Sequence, residues 1–72
     1  MKLNEALKVV QRMHEEAIDD LMDSYEGYED ELYLYVYSEK IDSGYIFEFF
    51  YKDNYDNKVT DSLFIKYNYC DN

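Results

Sequence analysis

Two hydrophobic periods divide this chain. From the N-terminus, apolar residues recur at Leu3, Leu7, Val10, Met13 or His14, Ala17 and Leu21, with Val9, Ile18 and Met22 beside them. That three-and-four spacing makes one apolar stripe and predicts a single helix over about residues 3–24. Asn4 is placed to cap it, and Glu5 suits the positive end of its dipole. Gly27 reads as the breaker, with 25–31 as an acidic connector.

Beyond the connector the period falls to two. Leu32, Leu34 and Val36 alternate with Tyr33, Tyr35 and Tyr37, which predicts a strand over about 32–38. Turn residues fill 38–44. A second strand over 45–52 points Tyr45, Phe47, Phe49 and Tyr51 one way and Ile46, Glu48, Phe50 and Lys52 the other. The polar 53–58 stretch suits a hairpin loop. A third strand over 59–69 sets Leu63, Ile65 and Tyr67 opposite Phe64, Lys66 and Asn68, and Asp71 and Asn72 are expected to fray.

Short connections between consecutive strands imply an antiparallel meander. The expected fold is one small α+β domain over 1–72, an N-terminal helix packed on a three-stranded antiparallel sheet in two layers. Its stripe should cover Leu32, Leu34, Val36, Phe47, Phe49, Leu63 and Ile65. The opposite face would show Tyr33, Tyr35, Tyr37, Ile46, Phe50 and Phe64, and exposed apolar patches of that kind mark interfaces. Tyr33, Tyr35, Tyr37 and Phe50 are therefore candidate aromatic anchors for a partner, the competing reading being cross-strand packing within the sheet.

Charge changes the picture most. Seventeen acidic residues against seven basic ones give a net charge of −10. Much of the excess lies in Glu15, Glu16, Asp19, Asp20, Asp23, Glu26, Glu29, Asp30 and Glu31. On one long helix the first five would crowd its C-terminal end, where backbone carbonyls disfavour carboxylates by a few tenths to ~1 kcal/mol each. Glu15, Asp19 and Asp23 would form one row and Glu16 and Asp20 another, with carboxylates ~6 Å apart along the axis. Such rows can imitate nucleic-acid phosphates. The alternative is a solvated face, although solubility is met by a net charge of about 2–8 in magnitude.

Other chemistry finds little purchase. Cys70 is the one cysteine, which excludes an internal disulfide and a zinc cluster and sits in no setting that would activate it. His14 has carboxylate neighbours in Glu15 and Glu16 but no activated nucleophile or oxyanion motif, so a packing or capping role is expected. The Asp53–Asn57 stretch lacks the glycine and closing glutamate of a calcium loop. No catalytic residue, metal or cofactor is expected.

The chain starts Met-Lys-Leu-Asn-Glu without a signal-peptide core, and no apolar run approaches a membrane span, so a cytoplasmic setting is expected. Acidity disfavours direct contact with nucleic acid or anionic lipid and favours a basic protein partner. Abundant Asn, Asp, Tyr, Lys, Ile and Phe, with no Pro, point to AT-rich codons and so to a low-GC bacterium or its phage.

In size, acidity, aromatic content and the acidic run from Glu15 to Glu31, the chain resembles the phage-encoded DNA-mimic inhibitors. That class includes anti-CRISPR proteins, anti-restriction proteins and uracil-DNA glycosylase inhibitors. The resemblance is to a class and spans the whole chain without a family motif. It implies a stoichiometric inhibitor of a bacterial nucleic-acid-binding defence complex, an anti-CRISPR protein first of all, acting without catalysis. Lys and Arg side chains that normally hold phosphate would meet the acidic run, with tyrosines as desolvated anchors. The alternatives are an immunity protein or antitoxin of a basic nuclease toxin, and a small module that forms homodimers through its aromatic sheet.

Overall fold

A computed structural model describes residues 2–25 and 27–68. Two helices, α1 (Leu3–Met13) and α2 (Glu15–Asp23), precede three strands, β1 (Tyr33–Ile41), β2 (Gly44–Lys52) and β3 (Leu63–Asn68). The strands form one antiparallel sheet in the order β1-β2-β3, with the helices lying over β2 and β3. The α+β class and the meander follow from the change of period. Tyr69, Cys70, Asp71 and Asn72, and with them the expected end of the third strand, lie outside the described residues, as does Glu26.

The single long helix does not form. His14, at φ −119° and ψ 22°, interrupts it. Its N–H still donates to the Val10 carbonyl (3.0 Å) and its carbonyl accepts from Ile18 N–H (2.9 Å), so one residue leaves helical geometry without breaking the chain of hydrogen bonds on either side. Packing supplies the reason. In a straight helix, at about 100° per residue, Ala17 and Leu21 would share the azimuth of Val10 while Ile18 stood well to one side. Here Ala6, Val10 and Ile18 are buried and Ala17 is exposed. The interruption turns the larger aliphatic side chain inward, and burial gain rises with apolar area. Asn4 is not the cap either: the helix starts at Leu3, with Lys2 at the N-cap position and no side-chain cap hydrogen bond, and Glu5 lies in the first turn.

The core joins Ala6, Val10 and Ile18 to Phe47, Phe49 and Ile65, with Leu7, Leu21, Val36, Leu63, Tyr45 and Tyr67 packed around it. Phe47 and Phe49 lie on one face of the central strand, 6.3 Å apart between ring centres. Directly opposite residues of an antiparallel pair share a face. The pairs Val36↔Phe49, Phe47↔Ile65 and Phe49↔Leu63 therefore make the covered face, and Tyr35↔Phe50 and Glu48↔Phe64 the outer one.

Two strand limits differ from expectation by more than one residue. β1 runs on to Ile41, so the first turn shrinks to Asp42 and Ser43 instead of 38–44. Gly44 is required there because β3 passes close by: a Cβ would collide with the Tyr67 carbonyl. β3 starts at Leu63 instead of residue 59. Pairing after the loop is reduced to an isolated Lys52↔Lys58 bridge, while Thr60 Oγ accepts the Tyr51 N–H at 3.0 Å. A side chain there replaces a backbone partner, which ends regular pairing. α2 ends at Asp23, before the expected breaker is reached; Gly27, at φ 86°, instead takes the left-handed conformation in the turn that the Tyr28 N–H closes on the Tyr25 carbonyl (3.0 Å).

Candidate protein-binding surface

The interruption at His14 reassigns the acidic residues. Glu15 and Glu16 occupy the first turn of α2, the favourable end of its dipole, and only the Asp20–Asp23 turn stands at the unfavourable end, with no basic residue in it. The cost expected for five carboxylates therefore applies to that last turn alone. What survives is exposure. Glu15, Glu16, Asp19, Asp20 and Asp23 are all exposed, and the single deeply buried residue of α2 is Ile18.

Among the described residues none of these five acids forms an ion pair. The nearest cation is Arg12, in the last turn of α1, which lines a shallow hollow with Glu15, Glu16 and Asp19. Asp20 shows the crowding: partial desolvation first, then Asp23, Glu16 and Asp19, hold its carboxyl above the usual carboxylate range. At the end of α2 the chain curls so that Asp23, Asp30 and Glu31 line one hollow of about 560 Å³ with Tyr25, Tyr28 and Leu32. The Tyr25 and Tyr28 rings there meet edge to face, 6.5 Å apart. One helix acid, Asp23, thus shares a hollow with two acids of the connector, and Glu29 is also exposed.

The outer face of the sheet departs from expectation at one residue. Tyr33, Tyr35 and Tyr37 are 44%, 37% and 54% exposed, as an anchor role requires, but Phe50 is only 3% exposed. Tyr35 stacks on it (6.2 Å between centres, 14° between planes) and Tyr37 meets it edge-on at 5.3 Å. Lys52 Nζ lies 4.9 Å from the Tyr35 ring centre, and Lys58 Nζ lies 5.2 Å from that of Phe50. Phe50 is the floor of a small second core, roofed by the tyrosines and two lysine stems. It offers a partner nothing.

Sequence reasoning missed those lysines. Period two already put Lys52 on the face of Phe50, so that signal was available. Lys58 arrives through the loop, and no periodicity carries it there.

The loop that delivers Lys58 is tightly bonded. Asp53 is buried, and its carboxylate accepts the Tyr55 and Asn57 N–H groups at 2.9 and 3.0 Å. Those bonds, the Asn57 one foremost, hold Asp53 below the usual carboxylate range, with help from the Tyr28 hydroxyl. Asp56, at φ 65°, makes the turn possible and pairs with Lys52 at 3.0 Å. Lys58 donates to Ser62 Oγ, which in turn donates to Glu48.

His14 is half-buried between the helices, at once the C-cap of α1 and the N-cap of α2, and its side chain makes no cap hydrogen bond. Among the described residues no group of three or more His, Cys, Asp and Glu side chains is arranged to hold a metal ion, and no helix is long and apolar enough to cross a membrane. No protein-family model matches the chain, and neither a curated protein nor a solved structure does.

Proposed function

We propose that this chain is a stoichiometric, non-catalytic inhibitor that lays α2 and the following connector into the cationic nucleic-acid cleft of a bacterial protein. One observation carries the reading. Glu31, Glu48, Asp53 and Asp56 are bonded to hydroxyls, a lysine or backbone N–H groups, whereas the five carboxylates gathered on the nine residues of α2 all stand exposed with no ion pair among the described residues. Exposed like charges raise the free energy of the folded chain, and a cationic cleft relieves them on binding. Tyr33 and Tyr35, beside the connector, supply apolar contact area next to the charge.

Among inhibitors of this kind we favour an anti-CRISPR protein that competes with DNA or guide RNA. The test uses the chain as bait in bacterial lysates, identifies captured proteins by mass spectrometry, and titrates the chain against DNA binding by the captured protein. The expected result is displacement at an equimolar end point, with slower association as salt rises. The Asp19→Asn, Asp20→Asn, Asp23→Asn variant should displace DNA far less well while melting no lower. Undiminished displacement by that variant overturns the reading. Capture of a nuclease toxin would instead assign the chain to the immunity proteins.

A further inference from the structure

β1 presents a contact of a different kind. It is the outermost strand of the sheet, nine residues long, and among the described residues no strand pairs with its outer side. The helices lie over β2 and β3, and along β1 only Val36 and Ile41 are as much as half-buried. Proteins guard such edges with charge, proline, bulges or a covering element. The first six residues of β1, Tyr-Leu-Tyr-Val-Tyr-Ser, contain no charge and no proline, and their pairing with β2 runs without a bulge.

Register says which backbone groups are open. Ile41↔Gly44 closes the turn through Asp42 and Ser43 as a hydrogen-bonded pair, and such pairs alternate along the ladder. The amides and carbonyls of Leu34, Val36 and Ser38 therefore turn away from β2. A row of open donors and acceptors at strand spacing fits one kind of ligand, an added strand.

The surroundings specify its side chains. On the helix side of β1 a groove of about 340 Å³ is lined by Arg12, Glu15, Ile18, Asp19 and Leu34, together with Gln11. A side chain from an added strand would cross the aliphatic surface of Ile18 and Leu34 and end beside Glu15 and Asp19. A long aliphatic stem with a cationic head, Lys or Arg, matches that order. On the other side it would lie against Tyr33, Tyr35 and Tyr37, which accept apolar or cationic groups. A second copy of this chain brings a charge of −10 to a chain of −10, and the one cation of its β1, Lys40, comes with Glu39 beside it.

We infer that β1 binds, by strand addition, an extended segment of its partner carrying Lys or Arg at alternate positions. The inference rests on the inhibitor reading for the sign of the partner's charge, and adds to it a backbone-directed contact that charge alone does not provide.

The probe is a blocked Lys-Val alternating peptide of about eight residues. Its control is the same peptide with every backbone nitrogen methylated, which keeps the length and charge and has no N–H to extend a ladder. Binding is followed by amide NMR shifts and hydrogen exchange. The Lys-Val peptide should bind at least about tenfold tighter than its N-methylated form and slow exchange at Val36 and Ser38. Ser38→Pro, which removes an outward N–H, should bring the two affinities together. If that variant unfolds by circular dichroism, N-methylation of the Val36 nitrogen in a synthetic chain removes the neighbouring outward donor.

Equal affinities for both peptides on the unaltered chain would overturn strand addition and leave the acidic-surface reading standing. The Asp19→Asn, Asp20→Asn, Asp23→Asn variant should weaken both peptides alike and keep their ratio. Loss of DNA displacement is scored separately on the captured protein, so the two readings fail by different results. Sedimentation of the free chain as a dimer, with exchange at Val36 and Ser38 slowed by raising its concentration, would name a second copy as the occupant and overturn the proposal.

Discussion

At the Asp53 corner Asp53, Asp56, Lys52, Lys58 and Glu48 all have partners. Asp53 holds two backbone N–H groups, Asp56 holds Lys52, and Lys58, Ser62 and Glu48 form a chain. Along α2 five carboxylates project with none of these arrangements, and Asp20 is pushed above its usual range by its own neighbours. The two regions use the same residue types on the same small domain. Local structure explains the contrast. A hairpin loop curls its backbone N–H groups around one carboxylate, whereas Asp19, Asp20 and Asp23, in the middle and at the end of a helix, meet none. Acidity serves the fold at the corner and stands outside the fold's needs along α2.

The largest way to sharpen the contrast is to strike the compensated side at its floor. Phe50→Ala should cost about 3–5 kcal/mol, which in a domain this small leaves much of the chain unfolded, as urea titration will show. A folded Phe50→Ala protein that binds its partner poorly would return Phe50 to the contact surface. Asp53→Ala comes next. It strands the Tyr55 and Asn57 N–H groups, and its melting temperature should fall more than that of any single α2 neutralisation changes in either direction.

The opposite sign is expected from the acidic helix. Asp19→Asn with Asp20→Asn and Asp23→Asn should raise the melting temperature, and raising salt from low to physiological strength should raise it in the unaltered chain but much less in the variant. A flat salt response would show that the α2 carboxylates are compensated after all.

Acid titration separates the two regions most finely. The Asp20 pKa lies above the usual range, so its ionisation disfavours the fold at neutral pH, and that penalty is relieved as pH falls through the raised value. The Asp53 pKa lies below the range, so its contribution is present above the unfolded value and is lost as pH falls through the folded one. Thermal melts should therefore show a small rise on mild acidification and a fall at lower pH. Asp20→Asn should abolish the rise, and Asp53→Asn should flatten the fall.

Much of the fold was legible because alternation in a strand is a local property. The Tyr33–Tyr37 ladder and the Phe47 and Phe49 pair declared their opposite faces from parity alone. The break at His14 was not legible, since no glycine or proline marks it; it is decided by whether Ile18 or Ala17 enters the core, which depends on where the sheet lies. The same is true of Phe50. Parity placed it on the outer face correctly, but its burial depends on Lys58 arriving through a loop whose path follows from the Asp53 hydrogen bonds. Exposure of the α2 acids could be read from charge; their position relative to the helix dipole could not, because it turns on that one interrupted residue.

The break at His14 also gives the anionic segment a mechanical character. α2 is held to the rest of the molecule by one deeply inserted side chain, Ile18, with Leu21 bearing beside it. A short rod fixed by a single peg can swivel a few degrees at little expense, swinging its whole row of oxygens together. Clefts of unequal curvature could then be met by one pivot, with the sheet left undisturbed.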